Sequence, residues 1–243
     1  MMQASHLAWP FFDERHRKLS RELIVWSAEH LAHDEHDEHD VDAVCRRFAR
    51  ALGDAGFLQH AVAGGAQETI DTRAICVLRE TLAYHHGLAD FAFAMQGLGS
   101  GAISLHGTPD QRERYLPRVA RGTALAAFAL SEPDAGSDVA AMACSARDDG
   151  DAYVLNGEKT WISNGGIADF YCVFAKTDPT GGTRGITAFI VDATTPGLDT
   201  SAHIDVMAPH PLATLRFENC NVPRSAQLGE LNGGFKLAMR TLD

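Results

Sequence analysis

Apolar positions recur at helical spacing through the first half of the chain. From Phe11 to about Ala32, Phe12, Leu19, Leu23, Ile24, Trp26 and Leu31 alternate with charged residues, which predicts an amphipathic helix. A second helix is expected over Val41 to Phe57, where Val44, Phe48 and Leu52 lie four apart and Gly53 and Gly56 mark the end. After a glycine-containing loop at 61–67, Thr69 to His85 carries Ile75, Leu78, Leu82 and Ala83 on one side, until Gly87 interrupts it. Leu88 to His106 is almost wholly apolar, with Phe91, Phe93, Met95, Leu98, Ile103 and Leu105. A helix apolar all round is buried centrally or walls a ligand cavity. Thr108-Pro109-Asp110-Gln111 then supplies an N-cap threonine, proline at the first helical position and glutamine at the third. Pro117 is expected to end that helix or to start a short turn.

From Leu125 the period shortens. Residues 126–130, 153–155, 160–163, 170–176, 186–191 and 213–218 read as short strands between Gly, Asp, Asn and Pro turns. Asn156-Gly157 is the favoured pair for a type I′ hairpin. Gly233-Gly234 introduces FKLAMRTLD, the opening turns of another helix with Phe235, Met239 and Leu242 on one face. The expected fold is α+β, in three parts: an N-terminal α-helical domain over 1–122, a β-sandwich or barrel-like middle domain over 123–231, and the start of a C-terminal helix over 232–243.

Composition narrows the partners. The 243 residues are 45% hydrophobic and 22% charged, a globular balance. The formal net charge of −11 argues against a nucleic-acid backbone as partner, but leaves a small anionic ligand possible at a local cluster of amides. Five cysteines are widely spaced without a C-x-x-C pair, so reduced, mostly buried thiols are expected. No signal pattern and no membrane-length run is found, and a cytoplasmic location is expected. The run HDEHDEHD at 33–40 places His33, His36 and His39 three apart beside carboxylates. It reads as a solvated helix end or loop, and no metal site is assigned to it.

Two stretches carry candidate chemistry. In SEPDAGSD, 131–138, Gly136 lets the backbone approach a ligand, consecutive amides can form an anion-binding nest, and Ser131 and Ser137 add hydroxyls. An ordinary polar turn is the alternative. In TWIS, 160–163, strand alternation puts Trp161 and Ser163 on one face, an aromatic plane beside a hydroxyl, which suits a planar heteroaromatic ring. A core tryptophan is the alternative. GLGSG at 97–101 lacks both the dinucleotide spacing and a preceding strand, and the GEKT at 157–160 lacks the upstream glycine of a phosphate loop.

Taken in order and at their spacing, SEPDAGSD, NGEKTWISNGG, PLATLRFENCNVP and GGFKLAMRTLD resemble the acyl-CoA dehydrogenase family along nearly the whole chain. The resemblance implies a helical domain, a β-domain and a C-terminal four-helix bundle, FAD as cofactor, and oxidation of the Cα–Cβ bond of an acyl-CoA thioester. It implies Phe128, Leu130 and Ser131 beside the flavin pyrimidine and Gly136 and Ser137 at the pyrophosphate. Trp161 would lie against the isoalloxazine and Ser163, where many relatives have Thr, near flavin N5. Leu98 and Gly99 would line the acyl pocket, Ser137 would also touch the CoA arm, and Met239, Leu242 and Asp243 would flank the pantetheine. The family's catalytic glutamate is expected beyond Asp243, so no catalytic residue is assigned here. Electron-transfer flavoprotein is the implied acceptor, within a homo-oligomer or a heteromer whose other chain supplies the bundle. A non-catalytic flavin- or acyl-CoA-binding subunit, or a related flavin monooxygenase or nitroalkane oxidase, is the alternative. Where the family often has Pro-Glu-x-Tyr-Gly-Gly, this chain has Ala61-Val62-Ala63-Gly64-Gly65.

Overall fold

The computed structural model describes residues 5–31, 40–63 and 69–243. His33, His36 and His39 of the HDE run, and Gly64 and Gly65, lie outside the described residues. Asp40, the last residue of that run, caps the next helix by accepting from the Ala43 amide at 2.9 Å.

Among the described residues, five α-helices come first: α1 (Glu14–His30), α2 (Val41–Asp54), α3 (Thr72–His85), α4 (Gly87–His106) and α5 (Pro109–Ala120). The apolar α4 is the central one, packed against α2, α3 and α5 and against the first strand. The capping box of α5 forms as its sequence predicts. Thr108 Oγ1 accepts from the Gln111 amide at 3.2 Å, and Gln111 Oε1 accepts from the Thr108 amide at 3.0 Å. Gln111 Nε2 then donates to the carbonyls of Ser225 and Gln227, which ties this helix to the strand region. Pro117 neither ends α5 nor begins a turn. It sits inside the helix on an exposed face, and the Arg121 amide closes the last turn on its carbonyl at 3.2 Å.

Eight strands follow: β1 (Ala126–Ala129), β2 (Ser145–Asp148), β3 (Ala152–Ser163), β4 (Phe170–Lys176), β5 (Ile186–Asp192), β6 (Leu198–His203), β7 (Leu212–Pro223) and β8 (Gln227–Leu228). They form one sheet in the order β6-β7-β3-β2-β4-β5-β8, with β1 parallel to β4. Strand β4 is buried on both faces. Phe170, Cys172 and Phe174 join the helical core with Ile103 and Leu116, while Tyr171, Val173 and Ala175 join an inner core with Tyr153, Phe189 and Phe217. The fold is therefore α+β, with a helical region and a β-region that has its own interior. A short helix, α6 (Gly234–Leu242), returns to pack on α4 and β5.

The Asn156-Gly157 pair is not a hairpin turn. Residues 153–155 and 160–163 belong to one continuous strand, β3, and Gly157 lies at a bulge where the register with β7 shifts. Its φ is +138°, and a Cβ there would stand 2.7 Å from Cys144 Cα, so the glycine serves a close strand approach. The real β2–β3 turn is at Asp149–Asp151, where Gly150 has φ +84° and its amide donates to Asp148 Oδ1 at 3.0 Å.

Four of the five free cysteines are buried and Cys76 is exposed. Burial pushes the Cys45 and Cys172 thiols up to about 12 and those of Cys144 and Cys220 up to about 11, which makes these four inert.

Candidate functional site

Strand β1 is held at the helix–sheet junction by buried polar side chains. Gln96 of α4 donates Nε2 to the Ala124 carbonyl at 2.7 Å and accepts the Ala126 amide on Oε1 at 3.0 Å. Asn164 Nδ2 donates to the Ala126 carbonyl at 2.9 Å. The Asp169 carboxylate accepts the Leu125 amide at 2.8 Å. This network fixes the strand from which Phe128 and Leu130 lead into the SEPDAGSD stretch.

That stretch begins with a tight turn in which Glu132 and Ala135 exchange backbone hydrogen bonds, each 3.1 Å. The Glu132 carboxylate is folded back inside. It accepts from the amides of Ala143 at 2.5 Å and Cys144 at 3.0 Å, and from Lys159 Nζ at 2.7 Å. Lys159, wholly buried on β3, also donates to the Leu130 carbonyl at 3.0 Å. Glu132 is thus committed to structure. Glu158, next to this lysine, pairs with Arg216 across the exposed side of β3 and β7 at 3.2 Å. A Cβ built on Gly136 meets nothing within 4 Å, so protein packing does not demand glycine there and the backbone stays open to a ligand.

Trp161 is 60% exposed, which excludes a core role. It stands at φ +59°, a left-handed conformation that a bulky side chain rarely adopts. The cause is a second bulge. Lys159 pairs with Leu215 and Ile162 with Ala213, so Thr160 and Trp161 together oppose Thr214, and the Thr160 and Thr214 hydroxyls bond at 2.8 Å. Simple alternation therefore fails at Trp161, but the bulge turns the indole outward, and Ile162 alone enters the core.

These elements enclose a cavity of about 610 Å³ between α4, β1, the 131–138 turn, β3 and α6. Leu98, Gly99, Phe128, Leu130, Ser131, Gly136, Ser137, Trp161, Ser163, Met239 and Leu242 all line it. Asp243, exposed after the last residue of α6, does not. Gly99 has a second duty, because it lies directly against Ala126 of β1. Nine further residues line it that the sequence did not assign to a site: Met95, Ala126, Ala127, Asp138, Val139, Ala140, Ile162, Thr183 and Phe235. Met95 shares the helix face of Leu98 and Gly99 by the i, i+3, i+4 rule, and Phe235 that of Met239 and Leu242, so both could have been found. Thr183 comes from the turn between β4 and β5, and no local pattern marks it.

The volume suits a small-molecule or cofactor site. The walls are apolar apart from hydroxyls and the Gly136-Ser137 backbone, and Asp138 is the one charged residue among the described lining residues. A flat heteroaromatic group with polar edges and a phosphate tail fits this donor set: an exposed indole, two serine hydroxyls beside it, and a glycine turn. Among the described residues, no group of three His, Cys, Asp or Glu side chains could hold a metal ion, and no helix is long and apolar enough to cross a membrane.

Two family models match the chain: the acyl-CoA dehydrogenase N-terminal domain over residues 13–123 and the acyl-CoA dehydrogenase middle domain over residues 127–220. A 3-(aryl)acrylate reductase of Clostridium sporogenes is 39% identical over 239 residues, which cover 96% of this chain and 63% of that protein. The butyryl-CoA dehydrogenase structure from Megasphaera elsdenii superposes with a TM-score of 0.82 at 30% identity, covering 95% of this chain and 62% of that one. A chain solved in work on the electron transferring flavoprotein of Acidaminococcus fermentans gives a TM-score of 0.84 at 32% identity, covering 95% of this chain and 62% of that one. The chain thus spans less than two thirds of the length of each of these relatives. With both domain models matched in order, and the cavity lying where the helical and β-regions meet, the chain belongs to the acyl-CoA dehydrogenase family.

Proposed function

We propose that this chain forms the flavin- and acyl-CoA-binding half of an FAD-dependent acyl-CoA dehydrogenase. The observation that carries the reading is one cavity lined by eleven of the residues that the family resemblance implies for cofactor and substrate. When bound, FAD supplies the hydride acceptor for the β-hydrogen. Trp161 offers the flat face for the ring, Ser131 and Ser163 hydrogen-bond its polar edge, and the Gly136-Ser137 backbone receives the pyrophosphate. Leu98, Met239 and Leu242 give the acyl chain and pantetheine a dry wall, and Gly99 brings α4 up against β1 beside it.

The reaction also needs a carboxylate to take the α-proton. Glu132 and Glu158 are already engaged, so neither is given that task. We assign it to a glutamate outside these 243 residues, within the length by which the relatives exceed the chain. Electron-transfer flavoprotein is the proposed acceptor and an oligomer in the cytoplasm the proposed state. Purified alone, the chain is expected to bind FAD weakly and to turn over acyl-CoA slowly with an artificial acceptor. Full turnover from this chain by itself would refute the placement of the base.

The likeness to a 3-(aryl)acrylate reductase favours a second reading, in which the same carbon–carbon bond is reduced. Assaying an acyl-CoA series with an oxidant and aryl acrylates with a reductant separates the two.

A further inference from the structure

The cavity has two polar walls that come from different parts of the chain. One is the turn that carries Ser131; the other is the end of β3 that carries Trp161 and Ser163. The Thr160 amide donates to the Ser131 carbonyl at 3.0 Å. Beneath that bond lies the pair of Glu132 and Lys159, one residue beyond Ser131 on the turn and two residues before Trp161 on the strand.

The pair is built for direction as well as charge. Lys159 has no exposed surface and Glu132 keeps 6%. The ammonium spans two acceptors, the Leu130 carbonyl and the Glu132 carboxylate, which flank Ser131 in sequence. The carboxylate takes two further donors, the Ala143 and Cys144 amides, and so ties the end of the loop back beneath its start. Every contact matches a donor to an acceptor, and each would be wrong if the two charges changed places. An ion pair this buried adds little net stability compared with an apolar replacement, so a role in fixing geometry is the better account of it.

We propose that Glu132 and Lys159 are positioning residues that set the spacing between the Ser131 turn and the Trp161–Ser163 segment, and thereby the grip on a flat ligand placed between them. In its ligand form this inference rests on the flavin reading above; the clamp itself does not.

The test uses the full chain with Glu132→Gln, Lys159→Met, the reversed pair E132K/K159E, and Leu52→Ala as a control that loses packing in the helical core away from the cavity. Two readouts are needed. Amide hydrogen exchange at Ala143, Cys144 and Thr160 reports the clamp without any flavin. FAD affinity and the shape of the bound flavin's visible band report the grip, which a general loss of stability would not alter below the melting transition.

Glu132→Gln and Lys159→Met are expected to speed exchange at those three amides and to weaken FAD by about tenfold or more. Leu52→Ala should lower the melting temperature while leaving FAD affinity within about twofold. The reversed pair should not rescue, because it aims an ammonium at two N–H donors and a carboxylate at a carbonyl. If Lys159→Met does not fold, Glu132→Asp carries the test: it keeps the charge but shortens the reach, and the same exchange change is expected. Unchanged exchange in Glu132→Gln, or full rescue by the reversed pair, would overturn the clamp. Faster exchange in variants of a wild-type chain that takes up no FAD would uphold the clamp and overturn the flavin reading alone.

Discussion

Gly99 of α4 lies so close to Ala126 of β1 that a Cβ on Gly99 would stand 2.5 Å from the Ala126 carbonyl carbon. The obstacle is backbone, held by Gln96 and Asn164, so no side chain can swing aside. Gly99→Ala must push the helix away from the strand. It is expected to destabilise the chain by about 1–3 kcal/mol, despite alanine's better helix propensity. Urea unfolding of the two proteins checks this, and an unchanged midpoint would count against the contact.

Gln96 gives a second test at the same junction. Its amide satisfies the Ala124 carbonyl and the Ala126 amide in a fully buried setting. Gln96→Leu keeps the bulk but leaves both backbone groups unpaired, at a cost of about 2–4 kcal/mol. Gln96→Glu would also fail, because a carboxylate offers no donor to the Ala124 carbonyl. Thermal melts of the two variants should show both losses.

The helices were legible because each buries one stripe, or in α4 most of its surface, and marks its ends with Asp, Thr or Gly. The cavity was legible because its glycine, serines and tryptophan sit in short unusual runs. Alternation failed where the backbone left it. The two bulges of β3, at Gly157 and Trp161, are register shifts against β7, which is far away in sequence, and the first also answers to the close approach of Cys144. Strand β6 was missed because none of its six residues is fully buried, so no apolar face announces it. Pro117 misled because it costs the helix one hydrogen bond, to the Glu113 carbonyl, on a face where both residues are exposed.

Trp161 separates stability from binding. Its left-handed backbone is strained and its indole mostly exposed, so little holds it in place for the sake of the fold. Trp161→Asn, which tolerates that conformation, should leave stability within about 1 kcal/mol. FAD affinity should fall by about tenfold, the order expected for losing an aromatic stacking partner. Equal losses in both would assign the indole to the fold.

Acid should weaken the protein through two histidines. Burial lowers the His60 pKa, and burial followed by the charges of Arg240, Arg112 and Lys236 lowers that of His106, with Glu230 opposing. A histidine depressed in the folded state takes up its proton more readily when unfolded. Stability is therefore complete above the ordinary value of about 6.5 and is lost as pH falls through it. Melting temperature should drop from about pH 7.5 to about pH 5.5, and less steeply in His106→Gln. An identical slope in that variant would remove His106 from the explanation.

The most direct test of the account is a titration of the purified chain with FAD, followed by the flavin spectrum and by tryptophan fluorescence. The account predicts weak but saturable binding of one flavin per chain, with quenching that disappears in Trp161→Phe and affinity that falls in Ser131→Ala and Ser163→Ala. Absence of saturable binding, or binding indifferent to all three substitutions, would contradict it.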